Sequence, residues 1–157
     1  MPLSIDEIFT LEDDVEFAVN LGAYAADREE ESGYDSLQPA ERVVYCIDSF
    51  EREVEDGGLA QFFVSPAGDK AQETRDALRA IGAERLTAIL TEAMDLFPGG
   101  KPPLDLETRC DLVDDFSSST FDVLERLDEE FHSAVDDIAA SLRRFAESHR
   151  GEFRPSR

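Results

Sequence analysis

The side chains in this sequence best spaced to act together are carboxylates. Asp48, Glu51 and Glu55 recur three and four residues apart, and Asp122, Glu125, Glu129 and Asp136 recur at intervals of three, four and seven. On a helix such residues share a face, and neighbouring carboxylates step roughly 4.5–6 Å along the axis. A fixed line of negative charge can stand in for phosphates before a protein that binds phosphates with Lys and Arg. The plainer reading is a solvated helix face, which charge runs usually are. Other chemistry finds little support. Glu129-x-x-His132 has the spacing of half a carboxylate di-metal site, but no second copy exists and His149 is the only other histidine, so no metal is expected. No nucleophile with a base, phosphate loop or dinucleotide fingerprint occurs, and Gly57-Gly58 and Gly99-Gly100 lack the lysine and strand context of a P-loop. The sequence therefore predicts a non-enzyme without a cofactor. Cys46 and Cys110 stand far apart with no CxxC or Cys/His cluster and read as small buried hydrophobes.

The elements that must position these carboxylates read as helices throughout. Val43, Val44, Ile47, Phe50 and Val54 give one helix an apolar face, with Asp48, Glu51 and Glu55 assigned to the opposite one. This helix opens at Pro39 and stops at Gly57-Gly58, where a positive φ can close it, and Leu59, Phe62 and Phe63 fold back in a short helix to Val64. Ahead of it, Ser4-x-x-Glu7 and Thr10-x-x-Asp13 are capping boxes, and a first main helix is expected from Leu11 to Ala26 with Leu11, Val15, Ala18, Val19, Gly22 and Ala25 inward. Arg28 to Gly33 carries no apolar residue and reads as a mobile solvated loop. Asp69 is expected to cap a helix with Ala71, Thr74, Ala77, Leu78 and Ile81 on one side. Gly82 turns it into an antiparallel partner with Leu86, Ile89, Leu90, Ala93 and Phe97 inward. Pro98 to Pro103 is the clearest loop and hinge candidate. A helix from Leu106 to Phe116 follows. Ser119 is then expected to cap one long C-terminal helix to His149, with Leu124, Leu127, Phe131, Val135, Ile138, Leu142 and Phe145 as its seam. The predicted fold is all-α, a single compact domain of six to eight helices, with residues 1–36 as an acidic helix and loop packed on a main body spanning 37–153.

Several spacings go beyond generic helix signals. Glu53-Val54-x-x-Gly57-Gly58-x-x-Gln61-Phe62-Phe63 is followed by Gly68-Asp69, by Ala77-Leu78-x-x-Ile81-Gly82-Ala83, and by Ala93-x-x-Leu96-Phe97. Leu127-Asp128-x-x-Phe131 and Glu152-Phe153 come later. This series resembles a bacterial domain-of-unknown-function family named after a DNA-mimic protein, from about Leu37 onward. Asp56 and Ser65 depart from it, standing where asparagines are expected. The resemblance implies the helical fold, with Glu53, Gly57, Gly58, Gln61, Phe62, Phe63 and Gly82 as its signature, and it implies DNA mimicry as the activity.

Composition bears on the partner. With 37 acidic against 15 basic side chains in 157 residues, the formal net charge is −22, which repels nucleic acid and anionic membranes and attracts basic proteins. Residues 1–35 hold eleven of those acids against Arg28 alone. The apolar fraction of 41%, including eleven Phe, is enough for a packed core. No apolar run reaches the length of a membrane-spanning helix and the first residues are acidic where a signal peptide is basic, so a cytoplasmic protein is expected. The leading expectation is an acidic DNA mimic on the DNA-binding face of a basic protein, a transcriptional regulator, without direct nucleic-acid or membrane contact. A homodimer is left open. Two rivals are an immunity-like inhibitor of a basic toxin or enzyme, and acidity that reflects salt adaptation.

Overall fold

The computed structural model describes residues 2–135 and 138–155. Among them are eight α-helices and no strand, as the sequence predicts. The helices are α1 (Ile5–Ile8), α2 (Asp14–Ser32), α3 (Pro39–Phe63), α4 (Ala71–Ala80), α5 (Glu84–Met94), α6 (Leu106–Asp114), α7 (Ser118–Ala134) and α8 (Ile138–Ser148). Helix α3 is the central element: α2, α4, α6 and α7 all pack on it, α5 bridges α4 and α7, and α8 lies on α2.

The periodicity that builds α4 and α5 holds at every position named from sequence, since Ala71, Thr74, Ala77, Leu78 and Ile81 are buried, as are Leu86, Ile89, Leu90, Ala93 and Phe97. Gly82 (φ +79°) makes the turn between them, and the Ala83 N–H closes the end of α4 on Leu78 O at 2.9 Å. At the Gly57-Gly58 corner α3 kinks rather than ends: Gly58 takes φ +80°, and the helix resumes at Leu59.

Five expectations are corrected. Helix α2 starts at Asp14 and runs on through Arg28 to Ser32 before Gly33, so the expected acidic loop is helical. Its inward face is Phe17, Leu21, Gly22, Tyr24 and Ala25, while Val15 and Val19 remain 61% and 63% exposed. Arg28 explains the extension: its Nε lies 2.7 Å from Oε2 of the fully buried Glu41, tying the last turns of α2 to α3. The C-terminal seam is carried by two helices, α7 on α3 and α5, and α8 on α2. Ser117 rather than Ser119 caps α7, accepting from the Thr120 N–H at 3.2 Å. Asp69 does not cap α4; it sits in the Pro66–Lys70 turn and pairs with Arg109 instead.

A line of aromatic contacts runs from the core to the surface. Phe131, Phe50, Phe62, Phe63, Phe97, Phe116 and Phe121 touch in succession, with ring centroids between 4.8 and 6.0 Å apart. A second group, Phe9, Phe17, Tyr24 and Phe153, joins the two ends of the chain. Arg143 and Arg150 lie over Phe17 and Phe9, and they also bind Asp14 and Asp6.

Candidate partner-binding surface

Helix α7 buries Leu124, Leu127 and Phe131 against α3 and α5, which turns Asp122, Glu125 and Glu129 to solvent. These three carboxylates enter none of the described ion pairs. Arg126, between them in sequence, is engaged elsewhere, bridging Glu92 of α5 and Glu130 at 3.2 Å. The row on α7 thus faces solvent with no ion-pair partner among the described residues. Asp136, its expected fourth member, lies outside the described residues.

The row on α3 is different. Glu51 follows Ile47 by one helical turn and so shares the core side, not the opposite one. Burial, with Glu55 and Asp48 nearby, pushes its carboxyl up to about 7, far from a permanently charged group. Asp48 is half-buried: a Cβ at Gly22 of α2 would meet its Oδ1 at 2.3 Å, and burial raises its pKa despite Arg52 at 3.2 Å. Only Glu55 is exposed. The assignment of all three to a face opposite the core is corrected accordingly.

The kink that shapes this region is built from side chains on both sides of it. Gln61 Nε2 donates to Glu53 Oε2 at 3.1 Å, and a Cβ at Gly57 would stand 2.8 Å from Gln61 Cβ, so the glycine leaves room for the returning side chain. At Gly58 a Cβ would lie 2.5 Å from Asp128 Oδ2, and Asp128 Oδ1 accepts the Leu59 N–H at 2.8 Å. Asp128 of α7 is therefore the cap on which α3 restarts. Behind the kink, Arg109 of α6 is fully buried and uses all five guanidinium N–H groups. Nε donates to Phe63 O at 2.8 Å, Nη1 to Pro103 O and Leu104 O at 2.8 and 2.9 Å, and Nη2 to Ser65 O and Asp69 Oδ1 at 3.0 and 2.6 Å. Gly68 permits this, since a Cβ there would meet Phe62 O at 2.8 Å and Arg109 Nε at 3.0 Å. The proline-rich stretch expected to hinge is fastened at Pro103 and Leu104.

The groups at the kink itself, Glu53, Gly57, Gly58, Gln61 and Asp128, belong to the series of spacings quoted from the sequence, and a sequence profile matches most of that span. The profile is that of DMP19-like protein, over residues 35–149. The chain belongs to the DMP19-like family. The protein that gives this family its name is a DNA mimic. No curated protein and no solved structure matches the chain significantly. Within the DMP19-like domain, Glu53, Gly57, Gly58, Gln61 and Gly82 hold corners, and Phe62 and Phe63 are in the core.

Two roles were not read from sequence, those of Arg109 and Asp128. Arg109 occupies the inward stripe of α6 one turn before the buried Val113, and a base within an apolar stripe was the available signal. Asp128 sits between the buried Leu127 and the exposed Glu129, and nothing in its spacing marks it as a cap for another helix. His132 is exposed beside Asp128 and His149 stacks on Phe145 at 4.2 Å. No group of three or more His, Cys, Asp or Glu suited to a metal ion occurs among the described residues. Cys46 is buried and its thiol is pushed up to about 11 by that burial, while Cys110 is only half-buried.

Proposed function

We propose that this protein imitates DNA, occupying the DNA-binding face of a basic protein, a transcriptional regulator, in competition with duplex DNA. The observation that carries this reading is the row Asp122, Glu125 and Glu129 on the solvent face of α7, free of the described ion pairs in a chain of net charge −22. Membership of the DMP19-like family supports it. The helix fixes the spacing of the carboxylates, and their charge substitutes for phosphate at Lys and Arg of the partner. Binding, not catalysis, is the role assigned.

The test is retention of a basic DNA-binding protein from the native host's lysate on the immobilised protein, followed by elution with duplex DNA. Displacement by DNA, together with retention that falls steeply between about 0.05 and 0.3 M NaCl, is the expected result. A partner that stays bound against both would instead identify an inhibitor that does not act by mimicry.

A further inference from the structure

The largest of the described pockets lies along α3. Tyr45, Ser49, Glu53 and Asp56 form a stripe along α3, and the end of α2 and the Pro66–Lys70 turn wall it into an open pocket of about 740 Å3. Tyr34 and Tyr45 meet at 6.0 Å on its wall, and the nearly inaccessible Cys46 and Thr74 also line it. Its volume lies within the ordinary range for ligand sites.

The charges around the pocket decide what it would hold. Its basic groups are spent: Arg52 faces Asp48 at 3.2 Å, and Lys70 Nζ lies 3.7 Å from Glu73 and 4.1 Å from the Tyr34 ring centroid. Asp69 is spent too, on Arg109 at 2.6 Å. Glu29, Glu53 and Asp56 enter none of the described ion pairs, and Glu53 is held in place by Gln61. The pocket already carries a cation on an aromatic wall, since Lys70 covers Tyr34 from within the chain. An aromatic wall with three uncompensated carboxylates selects a planar cation that can stack and donate several hydrogen bonds at once.

We infer that this pocket binds a guanidinium group, stacked on the tyrosine wall and hydrogen-bonded to Glu29, Glu53 and Asp56. Its assignment to an arginine side chain of the basic partner rests on the reading given above; the chemistry of the pocket does not. Free small guanidines share that chemistry.

The chain has no Trp and three Tyr, two of which line the pocket, so tyrosine fluorescence reads occupancy directly. The probes are agmatine and a terminally blocked Gly-Arg-Gly peptide, with Gly-Gln-Gly as the neutral control. Saturable binding of a guanidinium probe and none of the control are expected. The double variant Glu29→Gln/Asp56→Asn should weaken binding at least tenfold, whereas Glu125→Gln/Glu129→Gln, with the same change in net charge, should leave it within twofold. Lys70→Gln should tighten binding severalfold by freeing the Tyr34 face; Lys101→Gln, an equal charge change outside this pocket, should not. A peptide that outcompetes agmatine indicates a partner side chain, and the reverse order a free ligand. Absence of saturation, or equal weakening by the pocket and α7 variants, would overturn the inference. Neither result bears on displacement of the partner by duplex DNA, which tests the mimicry separately.

Discussion

Glu51 is the residue at which a small change should report most about the fold. Its carboxyl ordinarily titrates at 4.5 and is raised to about 7 by burial, so the folded state holds its proton where the unfolded chain has lost it. The stability this proton confers is fully present below about pH 4.5 and disappears as the pH rises through 7. Glu51→Gln should therefore flatten the fall in stability between these values and stabilise the protein at pH 8 by roughly 2–3 kcal/mol. Urea unfolding of both forms at pH 5 and 8 measures it; parallel pH profiles would show that Glu51 does not titrate as a buried group. Arg109 has the opposite sensitivity. Arg109→Lys cannot reproduce five donors in one plane and leaves buried carbonyls unpaired, a loss of about 3–5 kcal/mol. The urea midpoint should drop with an unchanged slope, and a drop of less than about 1 kcal/mol would contradict the clamp assigned to this side chain.

Among the elements, the kinked α3 is the one the others depend on. Gly58 combines φ +80° with a carboxylate where a methyl would go, so Gly58→Ala should cost about 2–4 kcal/mol from backbone strain and displacement of Asp128. Asp128→Ala removes the same cap with no backbone strain and should cost about 1–2 kcal/mol. Thermal unfolding of the two single variants and the double variant checks the shared origin, because costs that simply add would mean that glycine and cap act independently. How far these elements were legible varies for physical reasons. The inward faces of the α4–α5 hairpin were readable to the residue, because apolar spacing, the turn glycine and burial all agree, although the cap assigned to Asp69 was not. Helix α2 was misread twice. Its small residues Ala18, Gly22 and Ala25 fit more than one stripe, and the true inward face is fixed by Phe17, Leu21 and Tyr24. Its acidic end carries Arg28, which meets Glu41 of the next helix, a contact that apolar periodicity does not reveal. Of the candidate site, the α7 row was legible as a solvent-facing set. The partial burial of Asp48 and Glu51 was not, since spacing alone does not say how closely α2 approaches.

For the molecule as a whole, the arrangement of charge is set by which bases are used inside. Arg109, Arg143 and Arg150 join elements distant in sequence and Arg28 ties two consecutive helices, so they fasten the fold while many carboxylates stay outside. On the mimicry reading, Asp122→Asn, Glu125→Gln and Glu129→Gln should each weaken partner binding by a similar few-fold and together by roughly their product, measured as Kd at fixed salt. One dominant position would favour a site-specific inhibitor instead. The chain of phenylalanine contacts also bears on how the molecule is made. It leaves α7 at Phe131, passes through α3 and the loops beyond α5 and α6, and returns to α7 at Phe121, so it is a closed circuit. No stretch of sequence shorter than Phe50 to Phe131 contains it. During synthesis the helices before α7 emerge with their rings unpartnered on one side. A nascent chain stalled ahead of Ser118 should therefore be cut readily by protease, and one stalled with α7 clear of the ribosome should resist.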